Sequence, residues 1–210
     1  MHKLVGLGLC LPVLALGIFA DKLPDPKLLV KLASVLSEER ALQDHFDAQV
    51  WLLSSDSRLK NFVADEAERL LILKTTYSEA YKHKLDPDLV LSLMQIESDF
   101  DRFAVSRVGA QGLMQIMPFW QKEIGRPQDN LTHIKTNILY GTTILAHYLE
   151  VSNSDLVEAL GRYNGSKGKL RYPEKVVKAW RHSWQTRPSE DLPELKQICI
   201  KYGLKACHDF

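Results

Sequence analysis

A chain of 210 residues with 27 basic and 26 acidic side chains carries almost no net charge, which argues against nucleic acid or a strongly anionic polymer as its default partner. Hydrophobic residues make up 45% of it, enough for a normal core and too many for a disordered chain. No Cys-x-x-Cys spacing or Cys/His cluster occurs, so the sequence implies no metal and no cofactor.

Met1-His2-Lys3 is a short positive start, Leu4 to Phe19 an uncharged apolar run, and Ala20 a small residue before Asp21-Lys22. This pattern predicts a signal peptide over residues 1–20, cleaved after Ala20, because the run is shorter than the ~20 residues of a spanning helix. Left uncleaved, it would serve as a membrane anchor. Cys10 follows the bulky Leu9 inside the run, which argues against lipidation.

Residues 21–84 form the next region. After a proline-containing entry at 21–29, helices are expected over 28–36 and 37–53, with a break at Leu-Ser-Ser-Asp-Ser, 53–57. Asp65 starts a long helical stretch to about Lys84. Asp86-Pro87-Asp88 then supplies an N-cap, a first-turn proline and a first-turn acid for another helix. Val90, Leu93, Met94 and Glu97 fall on one side of it, at i, i+3, i+4 and i+7. A carboxyl on that inward side is paired, protonated or used in chemistry. A structural partner for Glu97 would be Arg102 or Arg107.

Residues 101–118 hold two glycines, short apolar runs and a terminal proline, which suits an irregular loop or a small β-hairpin. Helical patterning returns at Thr136–Val151, at Ser154–Arg162 with Ser154 as N-cap, and at Pro173–Trp184. A glycine-rich turn, Arg-Tyr-Asn-Gly-Ser-Lys-Gly-Lys-Leu-Arg-Tyr-Pro, lies between the last two. Residues 185–210 are expected to be a mobile linker and a tail. Cys199 and Cys207 are an even pair in an exported chain, so a disulfide between them, closing a short C-terminal loop, is expected; the alternative is two free thiols on a frayed end.

Taken together, Glu97-Ser98, then Ser106 to Pro118 ending in Gly-Leu-Met-Gln-Ile-Met-Pro, then Asn137 with Gly141, Tyr163-Asn164-Gly165 and Tyr172 form an ordered set. This succession resembles the soluble lytic murein transglycosylases, the SLT domain of the goose-type-lysozyme-like superfamily, over roughly Leu85 to Trp184. The resemblance implies a mainly α, lysozyme-like fold with a small β element at a cleft for the glycan strands of peptidoglycan. It implies residues 85–184 as the catalytic domain, residues 21–84 as a helical region packed on it, and a periplasmic location. Glu97 would be the single catalytic acid/base. Ser98, Ser106, Gln115, Met117, Tyr163, Asn164 and Tyr172 would bind substrate, with Tyr172 approaching Glu97. Arg162 and Gly165-Ser166-Lys167 depart from the small residue and Ala-Gly-Pro-like turn of many relatives. The chain is expected to act as a monomer, with recruitment to a cell-envelope complex left open.

Ordinary glycoside hydrolysis needs two carboxylates. The candidates for a second, Asp99, Asp101 and Asp129, do not recommend themselves: Asp99 lies about 200° around the helix from Glu97, and residues 108–118 contain no acid. A lone acid suits an intramolecular attack by the C6 hydroxyl of muramic acid, leaving a 1,6-anhydro end, and it must stay protonated near neutral pH. A hydrolytic muramidase on the same fold and a non-catalytic glycan-binding scaffold are the competing readings.

Overall fold

The computed structural model describes residues 46–187 and 192–207. The expected signal peptide, the entry segment and the helices before residue 46 lie outside the described residues.

Helix α1 runs through residues 46–59 without the expected break. Trp51, Ser55 and Leu59 are buried at i, i+4 and i+8, so packing keeps the serine-rich turn helical against its weak propensity. Helix α2 (Glu66–His83) starts where the sequence places it. Asp65 caps it by accepting from the Glu68 N–H at 2.7 Å, acids fill its first turn, and Lys82 and His83 fill its last.

Helix α3 (Pro87–Ser98) is capped by Asp86, which accepts from the Asp88 N–H, and it opens on Pro87 as expected. Leu89, Val90, Leu91, Ser92, Leu93 and Met94 are all buried, so this stretch of α3 is enclosed on every side and α3 is the axis of the described unit. A short turn, α4 (Trp120–Glu123), and the long α5 (Ile134–Val151) follow the irregular 101–118 segment, and α2 packs on both α3 and α5. Helix α6 (Leu156–Tyr163) is capped by Asp155 and not by Ser154. Asp155 is extended and accepts from Glu158 N–H, whereas Ser154 sits at φ +64°, outside the extended region typical of an N-cap.

Helix α7 (Arg171–Ala179) packs on α3 and continues into one π-helical turn, Trp180–Trp184. That turn brings the buried Trp184 indole N–H to Gln95 Oε1 at 2.7 Å. The Trp184 ring lies 5.2 Å from that of Phe100 and 6.0 Å from that of Phe62, a cluster beneath the C-terminal end of α3. At the other end Asp88 accepts from Trp51 Nε1 (2.6 Å), Thr186 N (2.8 Å) and Thr186 Oγ1 (2.7 Å). Burial first, and then the neighbouring Asp86 charge, push its carboxyl above the ordinary range. The axis helix is thus held at both ends by the chain around α1 and α7.

The described part of the expected linker is tied down. Thr186 and Arg187 bond Asp88 and Asp86, and helix α8 (Pro193–Tyr202) buries Leu195 and Ile198. Two apolar side chains at i and i+3, outnumbered by polar ones, leave little trace in the sequence. Cys199 and Cys207 form a disulfide, which closes α8 onto a final 3₁₀ turn (Lys205–Cys207). The Ala206 N–H of that turn donates to Glu174 Oε1 on α7 at 2.8 Å. Reduction is expected to cost about 2–3 kcal/mol from loop entropy, read as a lower melting temperature in reductant. Cys199 and Cys207 should alkylate only after reduction; labelling of both in the native protein would overturn the pairing. The described residues all fall within one compact unit.

Candidate active site

Glu97 occupies the last turn of α3. The helix stops at Ser98, one residue after Glu97, because Asp99 (φ +52°) and Phe100 (φ +64°) turn left-handed, a conformation uncommon for such residues. Phe100 is held there by its burial between Phe62 and Trp184. The chain then enters the 101–118 segment, whose two isolated antiparallel bridges, Val105 with Gln111 and Gln111 with Ile116, are the small β element expected.

The side chains that shape this segment come from three helices. Ser98 Oγ donates to Leu113 O at 2.7 Å from α3. Tyr163 OH, on the last residue of α6, donates to Met114 O at 2.8 Å. Asn137, fully buried on α5, accepts from Met114 N–H at 2.7 Å and donates to Gln111 O and Leu131 O at 2.8 and 2.6 Å. Two glycines permit the approach. A Cβ on Gly112 (φ +75°) would lie 2.4 Å from Asn137 Nδ2, and one on Gly141 would lie 2.2 Å from Met114 Sδ. Within the segment, Ser106 Oγ accepts from Ala110 N–H, and Gln115 Nε2 donates to Gly112 O and Ala104 O.

Tyr172, in the first turn of α7, donates its hydroxyl to Glu97 Oε1. Val90, Leu93, Met94, Leu113 and Met114 are all inaccessible to solvent, and Met117 is half-buried. Burial pushes the Glu97 carboxyl from 4.5 up to about 7, opposed by the Tyr172 hydrogen bond, which favours the charged form. No other charge contributes. Arg102 reaches Glu68 at 3.7 Å and covers the Phe103 ring, so it is not the partner of Glu97. Burial also raises the Tyr163 and Tyr172 hydroxyls well above their ordinary range, with the Glu97 charge adding to it, so both stay protonated and donate.

The candidate second carboxylates are occupied elsewhere or turned outward. Asp101 accepts from Phe103 N–H, Asp129 takes Tyr140 OH at 2.7 Å with Arg126 alongside, and Asp99 is an exposed C-cap. A half-protonated acid near neutral pH, held by a tyrosine, can give a proton and take one back.

Of the sequence-derived residues, Glu97 and Tyr172 are in direct contact, while Ser98, Ser106, Gln115 and Tyr163 spend side-chain hydrogen bonds on the loop backbone. Asn164, the C-cap of α6, is exposed. The roles of Asn137, Gly112 and Gly141 as loop supports went unread. The signal was a polar residue and a glycine on the inward face of α5, alongside Ile134, Ile138 and Ile144. A hollow of about 1700 Å³ lies at the opposite end of α3, lined by Trp51, Tyr77, Asp88 and Trp180 among others, and includes none of these residues. Its edge at Asp88 is about 13 Å along the axis from Glu97.

Tyr172→Phe provides a check on the electrostatics. Removing the hydrogen bond that favours the carboxylate is expected to raise the Glu97 pKa further. The alkaline limb of the pH–rate profile, set by loss of the proton from Glu97, should then move to higher pH. A limb that stays put or moves down would show that Tyr172 does not tune the acid.

Comparison with known proteins identifies a family. The Transglycosylase SLT domain family matches residues 75–183, from within α2 to the π-helical turn. The "Transglycosylase" of Enterobacteria phage PRD1 is 33% identical over 112 residues, covering 50% of this chain and 41% of the relative. A membrane-bound lytic murein transglycosylase C from Photorhabdus laumondii is 34% identical over 105 residues, covering 42% and 29%. One of the same name from Histophilus somni is 32% identical over 124 residues, covering 51% and 34%. An inactive mutant of lytic transglycosylase Slt from Pseudomonas aeruginosa aligns with a TM-score of 0.43 and 27% identity, over 54% of this chain and 19% of that one. The chain spans less than half the length of these curated relatives. The matched stretch takes in Glu97, the loop pinned by Asn137, and both tyrosines: this chain belongs to the Transglycosylase SLT domain family.

Proposed function

We propose that this chain is a peptidoglycan lytic transglycosylase that cleaves the MurNAc-β-1,4-GlcNAc bond and leaves 1,6-anhydroMurNAc ends. The observation that carries the reading is a half-buried carboxyl, raised to about 7, with no second carboxylate among the described residues acting on it. Protonated Glu97 gives its proton to the glycosidic oxygen as the C1–O bond breaks, and the N-acetyl oxygen of MurNAc steadies C1. The C6 hydroxyl of the same sugar then attacks C1, and its proton returns to Glu97, which is restored as the acid. An attached hydroxyl has a very high effective concentration at C1, so no base for water is needed. Ser98, Ser106, Gln115, Met117, Tyr163, Asn164 and Tyr172 form the substrate-binding wall in this proposal, with Ser98 and Tyr163 acting through the loop they hold.

We further infer a periplasmic or envelope location, with residues 1–20 as an export signal, 21–84 as a supporting helical region, 85–184 as the catalytic domain and 185–210 as a C-terminal appendage. The names of the murein relatives support the envelope setting. Among the described residues no helix is long and apolar enough to cross a membrane.

Digestion of purified sacculi in ¹⁸O-labelled water tests the mechanism. Unlabelled anhydromuramoyl ends are expected, because no solvent oxygen enters the product. Label at C1 in most products would replace the proposal by a hydrolytic muramidase on the same scaffold.

A further inference from the structure

The near-zero net charge of the chain hides a local imbalance. Residues 162–178 hold six basic side chains and one acid. The acid, Glu174, accepts from the Ala206 N–H, and Glu158 on α6 takes Arg162 at 2.8 Å and Lys167 at 3.4 Å. Lys169, Arg171, Lys175 and Lys178 are exposed and have no ion-pair partner among the described residues. Arg171, Lys175 and Lys178 fall at i, i+4 and i+7 on the solvent face of α7, whose other face buries Tyr172, Pro173, Val176 and Val177.

Position gives this charge a use. The segment leaves α6 at Tyr163, bonded to the loop beside Glu97, and re-enters a helix around Tyr172, bonded to Glu97 itself. Between them the chain folds back on itself, with Ser166 N–H on Gly161 O at 2.7 Å and Lys169 N–H on Ser166 O at 3.0 Å. No residue of this connection can lie more than about 15 Å of backbone from one of the two tyrosines. Lys169, Arg171 and Lys175 thus each lie within three residues of Tyr172, the residue bonded to Glu97.

We propose that Lys169, Arg171 and Lys175 bind carboxylates of the peptide stems carried by the glycan strand, so that the site prefers stem-bearing strands to stripped ones. This rests on the proposed function. The uncharged sugar backbone offers these cations nothing to pair with, whereas the stems place several carboxylates on the muramic acid whose bond would be cut. Exposed ion pairs are weak singly, a few-fold each, so three acting together support a preference of about tenfold. Salt should erode it, because exposed pairs are screened over about 8–10 Å at physiological ionic strength.

The test is calorimetric binding of the full-length Glu97→Gln chain, which leaves its ligand uncut, to soluble glycan strands with intact stems, with amidated stems and with stems removed. We expect intact stems to bind about tenfold tighter than either other form, and the gap to close when Lys169→Gln, Arg171→Gln and Lys175→Gln are combined. The amidated strands keep the test decisive should the triple variant fold poorly. Equal binding of all three strands, or a preference that survives in a folded triple variant, would overturn the proposal. So would tighter binding of inorganic polyphosphate than of stem-bearing strands at physiological salt. Stem preference without anhydro ends from the wild-type chain would sink the function proposed above while leaving this inference standing.

Discussion

Glu97→Gln is expected to abolish turnover, by at least the ~10²- to 10⁴-fold that general acid catalysis contributes, while making the protein more stable above neutral pH. The amide nearly matches the carboxyl in shape and its oxygen still accepts the Tyr172 hydroxyl, so the packing around it is kept. It has no proton to give. Folding raises the Glu97 pKa from 4.5 to about 7, so the folded state holds its proton more tightly than the unfolded one. The contribution of this side chain to stability is therefore full below pH 4.5 and declines as pH rises through 7. A neutral amide escapes that decline. At 1.36 kcal/mol per unit, the gain at pH 8 has an upper bound of about 3 kcal/mol, reduced by the partial exposure of Glu97. Melts at pH 4 and pH 8, run beside a sacculus-clearing assay, make the comparison. A variant that melts well below the wild type at both pH values, or clears sacculi at a comparable rate, would return Glu97 to a structural role.

Asn137→Ala is expected to remove about 3–5 kcal/mol of stability and most of the activity. The side chain satisfies one buried N–H and two carbonyl groups with three hydrogen bonds of 2.6–2.8 Å. Each buried polar group left without a partner costs about 1–3 kcal/mol, which is a large share of a total near 5–15 kcal/mol. Asn137→Asp sharpens the test, because it keeps the acceptor for Met114 N–H and loses both donors. Gly141→Ala attacks the same contact from the steric side: its Cβ would sit 2.2 Å from Met114 Sδ and should cost about 1–3 kcal/mol. Denaturant midpoints give the stabilities. If Asn137→Ala unfolds within 1 kcal/mol of the wild type, the loop is held by Ser98 and Tyr163 without it.

How much of this was legible beforehand depends on where the information lies. The caps of α2 and α3 were visible at Asp65 and Asp86 because capping is local chemistry. Glu97 was visible because it breaks an apolar periodicity, and its raised pKa follows from the residues around it. The continuous α1 was not visible, since only burial of Trp51, Ser55 and Leu59 overrides the serine-rich turn. Helix α8 was missed for a related reason: its apolar positions are few, and a disulfide and the contact with α7 hold it. Asn137 obeys the same rule as Glu97, a polar group on an inward helix face, but its partners are backbone atoms that no sequence pattern announces. The basic stretch at residues 162–178 was hidden by summing charge over the whole chain.

The bonds that hold other parts of the chain around α3 and its loop, and so bury Glu97, join distant parts of the sequence. Tyr172 is 75 residues from Glu97, Tyr163 is 49 from Met114, and Thr186 is 98 from Asp88. During synthesis or export, α3 therefore appears long before the helices that enclose it. Until they dock, Glu97 is a solvated carboxyl with an ordinary acidity, already ionised and unable to protonate anything at neutral pH. Such distant pairings also form slowly. Competence is in this way a late product of folding, and a chain cut short ahead of Tyr172 carries the acid without the means to use it. Under the function proposed above, that ordering leaves an unfinished chain unable to cut a glycan strand.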